Sequence, residues 1–207
     1  RLVRLMVTSE TYRQSSEVDA AVRKLDPANV WLGRAASHRW PGEFVRNNAL
    51  MAAGLMSHRV GGPSVKPWQP EGLWIDKGNF SSVLLRYKPD EGEGGYRRSL
   101  YTFVRRTSPH PVMTIFDAPA REVCTVRRER TNTPLQALVM LNERQFFEAA
   151  SGLAQRMEAA AVRSIEESIT LGFRLATGRY PRENELSLLH RFYTEEKART
   201  GESVKAW

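Results

Sequence analysis

TPLQALVMLNERQFFEAASGLAQRMEAAA, residues Thr133 to Ala161, decides the fold class. Thr133-Pro134-Leu135-Gln136 has the form of a capping box, with proline at the first helical position, where its missing N–H costs nothing. The spacing predicts one long helix to about Ala161, burying Leu135, Val139, Phe146, Ala150, Leu153 and Met157 on one face. Downstream, Ser164-Ile165-Glu166-Glu167 repeats the capping pattern and opens a helix that closes near Gly178. Pro181 introduces another helix from about Arg182 to Arg199, with Leu186, Leu189 and Tyr193 as its apolar stripe. Upstream, Pro41 starts a helix expected to reach about His58, where Gly61-Gly62-Pro63 follows. Its stripe is Phe44, Val45, Asn48, Ala49, Met51, Ala52, Leu55 and Met56, while Glu43, Arg46 and Asn47 cluster on another face.

Between these helices the periodicity disappears. Gly61 to Gly95 holds four prolines and seven glycines among Trp68, Trp74, Phe80 and Tyr87, and reads as a long loop packed by its own aromatics. YRRSLYTFVRR, Tyr96 to Arg106, suits a helix or a strand equally, so a short β-hairpin stays open there. The expected fold is mainly α: one helical domain with a long irregular Gly/Pro/Trp-rich insertion. Residues 1–60 form N-terminal helices, 61–131 an irregular arginine-rich middle and 132–207 C-terminal helices. Leu2, Leu5 and Met6 stand at helical spacing with no cap before them, as expected of a piece of a longer protein that begins inside a helix.

The 207 residues carry 31 bases against 23 acids, a formal net charge of +8, and no apolar run approaches the ~18 residues a membrane-spanning helix needs. The single cysteine, Cys124, excludes an internal disulfide, a four-cysteine zinc site and thioether-linked haem within this stretch. Four histidines, His38, His58, His110 and His190, form no His-x-His or His-Glu-x-x-His pattern, so no metal site is signalled and no cofactor is expected in this stretch. Arginine outnumbers lysine 25 to 6, and Tyr96 to Arg130 alone holds eight arginines against three acids. Arginine's planar fork suits carboxylate, phosphate or sulfate, so an anionic ligand is one reading; arginines tying an irregular loop to carboxylates and carbonyls is the other. With no recognition-helix, zinc-finger or RNP-like motif, nucleic acid is set aside as a partner.

Asp117-Ala-Pro-Ala-Arg121-Glu122 reads as a short helix capped by aspartate; the sharper reading makes Asp117 and Glu122 a catalytic acid/base pair. Trp68 and Trp74 either plug the core or form a platform for sugar rings beside Lys66, Gln69 and Glu71. Cys124 is either a small buried hydrophobe or, with Arg121, Arg127 and Arg128 nearby, a nucleophile.

Five strings resemble one family: LMVTSETYRQSS (Leu5 to Ser16), PGEFVRNNAL (Pro41 to Leu50), GGPSVKPWQPEGLW (Gly61 to Trp74), YRRSLYTFVRRT (Tyr96 to Thr107) and FDAPAREVCTVRRERTNTPLQALVMLN (Phe116 to Asn142). Together they are similar to the planctomycete-specific domain of unknown function 1553. The resemblance implies a C-terminal module of a large exported protein of the periplasm or cell envelope. Companion domains of the same polypeptide would precede it, often a cytochrome-c-like domain holding haem c. It assigns no catalytic residues. The motif positions Glu43, Arg46, Asn47, Asp117, Arg121, Glu122, Arg127, Arg130, Asn132 and Gln136 enter as candidates, with Trp68 and Trp74 beside them. The expected function is an ancillary binding or scaffold module with an arginine-rich pocket for an anionic ligand, such as a sulfated glycan, or for a partner domain. Glu43, Arg46, Asp117, Arg121 and Arg127 would be its polar centre. The rival reading is a catalytic domain acting on glycans or within a haem-linked oxidoreductase, with Asp117 or Glu122 as acid/base.

Overall fold

The computed structural model describes residues 1–74, 87–160 and 164–201. The chain falls into two compact units, Arg1–Arg39 and Trp40–Trp207. The first holds the short helices α1 (Leu2–Val7), α2 (Glu10–Arg13) and α3 (Ala20–Leu25). Beyond α3 the chain turns on Asp26, whose carboxylate accepts from the backbone N–H groups of Val30 and Trp31, both at 2.8 Å. Arg34 closes the same turn by donating to the carbonyls of Asp26 and Pro27.

The second unit is built on α4 (Gly42–Ala53), which packs against α5 (Pro111–Ile115), α7 (Arg144–Ala160) and α8 (Ile165–Thr177). Val112, Phe116 and Phe146 form its core, with Val45, Ala49 and Val139 packed around them. Helix α4 stops at Ala53, short of His58, because Gly54 takes a left-handed conformation at φ 75° and caps the preceding carbonyls. The residues α4 buries are Gly42, Arg46, Leu50, Ala52 and Ala53, while Phe44 and Met51 of the expected stripe are exposed.

The single long helix expected from Thr133 is two. Helix α6 (Pro134–Asn142) begins at the capping box, and α7 restarts after Glu143, whose backbone is extended at φ −75° and ψ 136°. The break satisfies itself locally: the Glu143 carboxylate accepts from the N–H of Phe146, and the Asn142 side-chain amide donates to the Leu138 carbonyl. This elbow shifts the helical phase, so α7 buries Gln145, Phe146, Ala149 and Ala154 rather than Ala150, and Leu135 is exposed on α6. The following caps match the sequence: Ser164 accepts from the N–H of Glu167 to start α8, and Gly178 ends it in the left-handed region. Helix α9 (Glu183–Thr200) buries Tyr193, and its His190 lies 3.3 Å from Glu166 of α8.

Among the described residues there are nine helices and no strand, which makes the unit mainly α. The Tyr96–Arg106 stretch forms neither a continuous helix nor a hairpin. It carries 3-10 turns at Gly92–Tyr96 and Ser99–Tyr101 and two isolated parallel bridges, Ser57 to Arg97 and Val65 to Thr102. Of the long loop, Trp74 is 3% exposed and meets Tyr87 edge-on at 4.8 Å, so this tryptophan plugs the core. Residues 75–86, Phe80 among them, lie outside the described residues, as does Ala161. No helix among the described residues is long and apolar enough to cross a membrane.

Candidate functional site

The polar residues of α4 fan out to separate places. Arg46 is 2% exposed, and its guanidinium spends its fork on protein groups. Nε donates to Gln145 Oε1 at 2.8 Å, Nη1 to the Arg97 carbonyl at 2.8 Å and Ser99 Oγ at 3.2 Å, and Nη2 to the Gly95 carbonyl at 2.7 Å. Burial lowers its pKa to about 10, with the carboxylate of Glu143 pulling the other way, so Arg46 stays charged at neutral pH. Asn47, next along the helix, accepts from the N–H of Ser99 at 2.8 Å. Arg46 and Asn47 therefore fasten the Gly95–Ser99 backbone to α4 and α7, beyond the 3-10 turns and the single bridge to Ser57 that it makes. Arg97 performs the same service on the other side, donating to the carbonyls of Gly61 and Pro63 while its guanidinium lies 3.9 Å from the Tyr101 ring centre. The Gly61-Gly62 turn is thereby engaged by arginine.

Asp117 caps no helix of its own. It sits at φ 61°, just past the end of α5, and its carboxylate accepts from the backbone N–H of Thr131 at 2.7 Å and from the Thr131 hydroxyl at 3.0 Å. Gln136, 1% exposed, donates to Thr131 Oγ1 at 3.1 Å and to the Ile115 carbonyl at 2.9 Å. The N–H of Ala118 donates to the Met113 carbonyl at 2.8 Å. Asp117, Thr131 and Gln136 thus form the closed neck of a loop spanning residues 118–130, in the manner of an Ω-loop, a loop type that is frequently functional. The expected short helix at Asp117–Glu122 is absent because this carboxylate reaches across the neck instead of back onto its own turn.

Every residue from Arg121 to Arg130 is exposed. Arg128 pairs with Glu43 at 2.9 Å and leans the loop onto the start of α4. Among the described residues, Arg121, Arg127 and Arg130 have no ion partner. Val123 and Val126, between those arginines, bury almost nothing, and Cys124 stands exposed beside them rather than in the core. Glu43 and Arg121 share a narrow cleft of about 30 Å³. Arg46 and Asp117 are engaged elsewhere and Arg127 lies on the surface, so the structure does not gather the five expected residues into one pocket. Glu122 is exposed on the loop, and Asp117 is held in its neck by Thr131. Asn132 is exposed just past the neck. Among the described residues no three His, Cys, Asp or Glu side chains gather as metal ligands.

Trp68, unlike Trp74, is half-buried and walls two cavities, one of about 320 Å³ and one of about 450 Å³. The guanidinium of Arg144 lies 5.8 Å from the Trp68 ring centre while pairing with Glu148 at 2.8 Å. Glu148 also accepts from the Tyr96 hydroxyl at 3.0 Å. Sequence reasoning passed over Arg97, Ser99, Thr131, Gln145 and the cavity role of His110. Only Thr131 left a trace, as a hydroxyl two residues ahead of the capping box.

Removing the neck carboxylate is expected to open the loop before it disturbs the core. Asp117→Ala should lower stability by only about 0.5–1 kcal/mol, because water takes up the exposed Thr131 donors, and speed tryptic cleavage between Arg121 and Arg130 several-fold. Equal cleavage rates in the variant and the wild type would show that Asp117 does not hold the neck.

The fold and its polar framework define a mainly α-helical module that presents a clamped, arginine-bearing loop. The chain belongs to the PSD1 family, proteins of unknown function (DUF1553), whose family model matches residues 1–193. Comparison with curated proteins and with solved structures found no match.

Proposed function

We propose that this chain is an ancillary docking module whose loop 118–130 engages an acidic face of a companion domain in the same exported polypeptide. One observation carries the reading: the ten residues Arg121 to Arg130 are all exposed, on a loop whose neck is tied by hydrogen bonds from Thr131 to Asp117 and from the buried Gln136 to Thr131. A loop left open by its own fold normally withdraws its valines, yet here Val123 and Val126 stand out between arginines. Valine offers nothing to a highly hydrated polyanion, whereas alternating apolar and guanidinium groups match a protein surface with a carboxylate rim. Arginine is also the cation enriched at such surfaces, since its fork binds carboxylate in two places at once. The haem chemistry that the family resemblance implies would then belong to the companion domain.

Charge reversal at the three arginines without ion partners tests this. Expressed in trans, the companion domains should retain the wild-type chain and bind R121E/R127E/R130E at least roughly tenfold more weakly, with the melting temperature unchanged. Undiminished binding by the triple variant, or capture by a sulfated oligosaccharide with no affinity for the companion domains, would overturn the reading.

A further inference from the structure

The larger cavity beside Trp68, a cleft of about 450 Å³, shares no residue with the arginine loop. Its size falls within the range of small-ligand sites. Trp68, the segment from Lys88 to Tyr96 and the first two turns of α7 line it. The carbonyl of Gly95, in that segment, is held by Arg46 at 2.7 Å and by the Gln145 amide at 2.8 Å. Asp90 exchanges two bonds with Lys66: its N–H donates to the Lys66 carbonyl at 2.9 Å, and its carboxylate accepts from the Lys66 N–H at 2.8 Å. Gly94 tucks against it so closely that a Cβ there would stand 2.8 Å from the Asp90 Cβ. The walls are thus set before a ligand arrives, which lowers the entropic cost of binding.

A string of side chains in the cleft links the ring of Trp68 to Tyr96. The Arg144 guanidinium is 5.8 Å from the Trp68 ring centre, against 3.9 Å for Arg97 over Tyr101, so it stands off the ring rather than flush on it. Arg144 Nε donates to Glu148 Oε1 at 2.8 Å, and Glu148 Oε2 accepts from the Tyr96 hydroxyl at 3.0 Å. All four residues line the cleft and stay open to solvent: Trp68 and Tyr96 are half-buried, and the Arg144 and Glu148 side chains are 62% and 29% exposed. Among the described residues the two terminal nitrogens of Arg144 donate to nothing, while the Tyr96 hydroxyl and both Glu148 oxygens retain lone pairs.

Charge narrows the occupant. Four acids, Glu71, Asp90, Glu91 and Glu148, line the cleft against two bases, Lys88 and Arg144, a local acidic surplus on a chain of net charge +8, so an anion is repelled. A cation would meet the Arg144 guanidinium beside the ring on which it would stack. A neutral ligand meets neither obstacle, provided it has an apolar face for the tryptophan and adjacent groups that both donate and accept. We infer that this cleft binds a neutral saccharide, one pyranose ring laid along Trp68 and its neighbouring hydroxyls shared between Arg144 and Glu148.

Calorimetric titration with cellotriose, mannotriose, maltotriose and chitotriose tests the inference, with trigalacturonate and the glucosamine trimer as anionic and cationic counterparts. At least one neutral sugar should bind saturably and one to one, roughly tenfold or more tighter than either charged trimer. Trp68→Ala should weaken that binding at least roughly tenfold. Arg144→Met alters an exposed side chain, should leave the melting temperature nearly unchanged and should weaken binding at least roughly threefold; it decides if Trp68→Ala does not fold. Absence of saturable binding by all the neutral sugars, equal or tighter binding of a charged trimer, or full affinity in either variant would overturn it.

Discussion

Arg46→Met is expected to lower the free energy of unfolding by on the order of 3–5 kcal/mol, a large share of what an ordinary domain possesses. Methionine fills similar space, so the loss comes from stranded acceptors rather than from a void. The Arg97 carbonyl loses its arginine donor, Gln145 Oε1 loses its partner, and the Gly95 carbonyl keeps only the amide of Gln145. Each stranded acceptor in a buried position costs about 1–3 kcal/mol. Arg46→Lys keeps the charge but recovers only part of the loss, because one ammonium cannot reach groups that the guanidinium meets along three directions. Urea unfolding of the wild type and both variants measures the order wild type, lysine, methionine. Midpoints that coincide would mean the Gly95–Ser99 backbone is held by other contacts.

The second large effect is the response to acid. His110 has its pKa lowered from 6.5 to about 4 by burial, so the unfolded chain binds a proton more readily than the folded one between those values. Stability from this group is fully present above pH 6.5 and is lost as pH falls through the window. The loss by pH 4 is roughly 3 kcal/mol. Glu143 works with the opposite sign, since its raised pKa favours the folded state as pH falls toward the carboxylate range. The comparison with His110→Gln separates the two: glutamine can still donate to the Trp68 carbonyl but does not titrate. Unfolding free energies at pH 7 and pH 4.5 should fall more steeply in the wild type than in the variant. Parallel acid limbs would show that His110 is not the group being protonated.

What the sequence made legible was local. Ser164 with Glu167, Gly178, and Thr133 with Pro134 and Gln136 act through contacts within a few residues, and each stands where its spacing puts it. The Glu143 break was less visible, because an acid and an amide inside an apolar run can also sit on the solvent side of a continuous helix. Arg46 was misplaced by residue type: with Gly42, Leu50 and Ala53 it lies at spacings of four, four and three, the period of the buried side. A charged residue counted against that face, although a carbonyl cage drawn from residues 95–99 accommodates it. Asp117 carried the pattern of a cap, and only the fold reveals that Thr131, fourteen residues away, is its partner. Motif residues gathered as one site in the sequence thus separate into a buried framework, a loop neck and an exposed loop. Their joint appearance in the sequence reflects the knitting of irregular backbone as much as ligand chemistry.

The most direct measurement of this division of labour pairs binding with stability across two variants, R121E/R127E/R130E and Asp117→Ala, in calorimetric titrations against the companion domains. The account predicts that the triple variant keeps its melting temperature and loses affinity at least roughly tenfold. It predicts that Asp117→Ala melts earlier and binds more weakly in proportion to how far the loop opens in tryptic digestion. Full affinity in the triple variant, or a melting temperature lowered by the arginine changes alone, would contradict the claim that the exposed loop docks while the polar groups of its neck hold it.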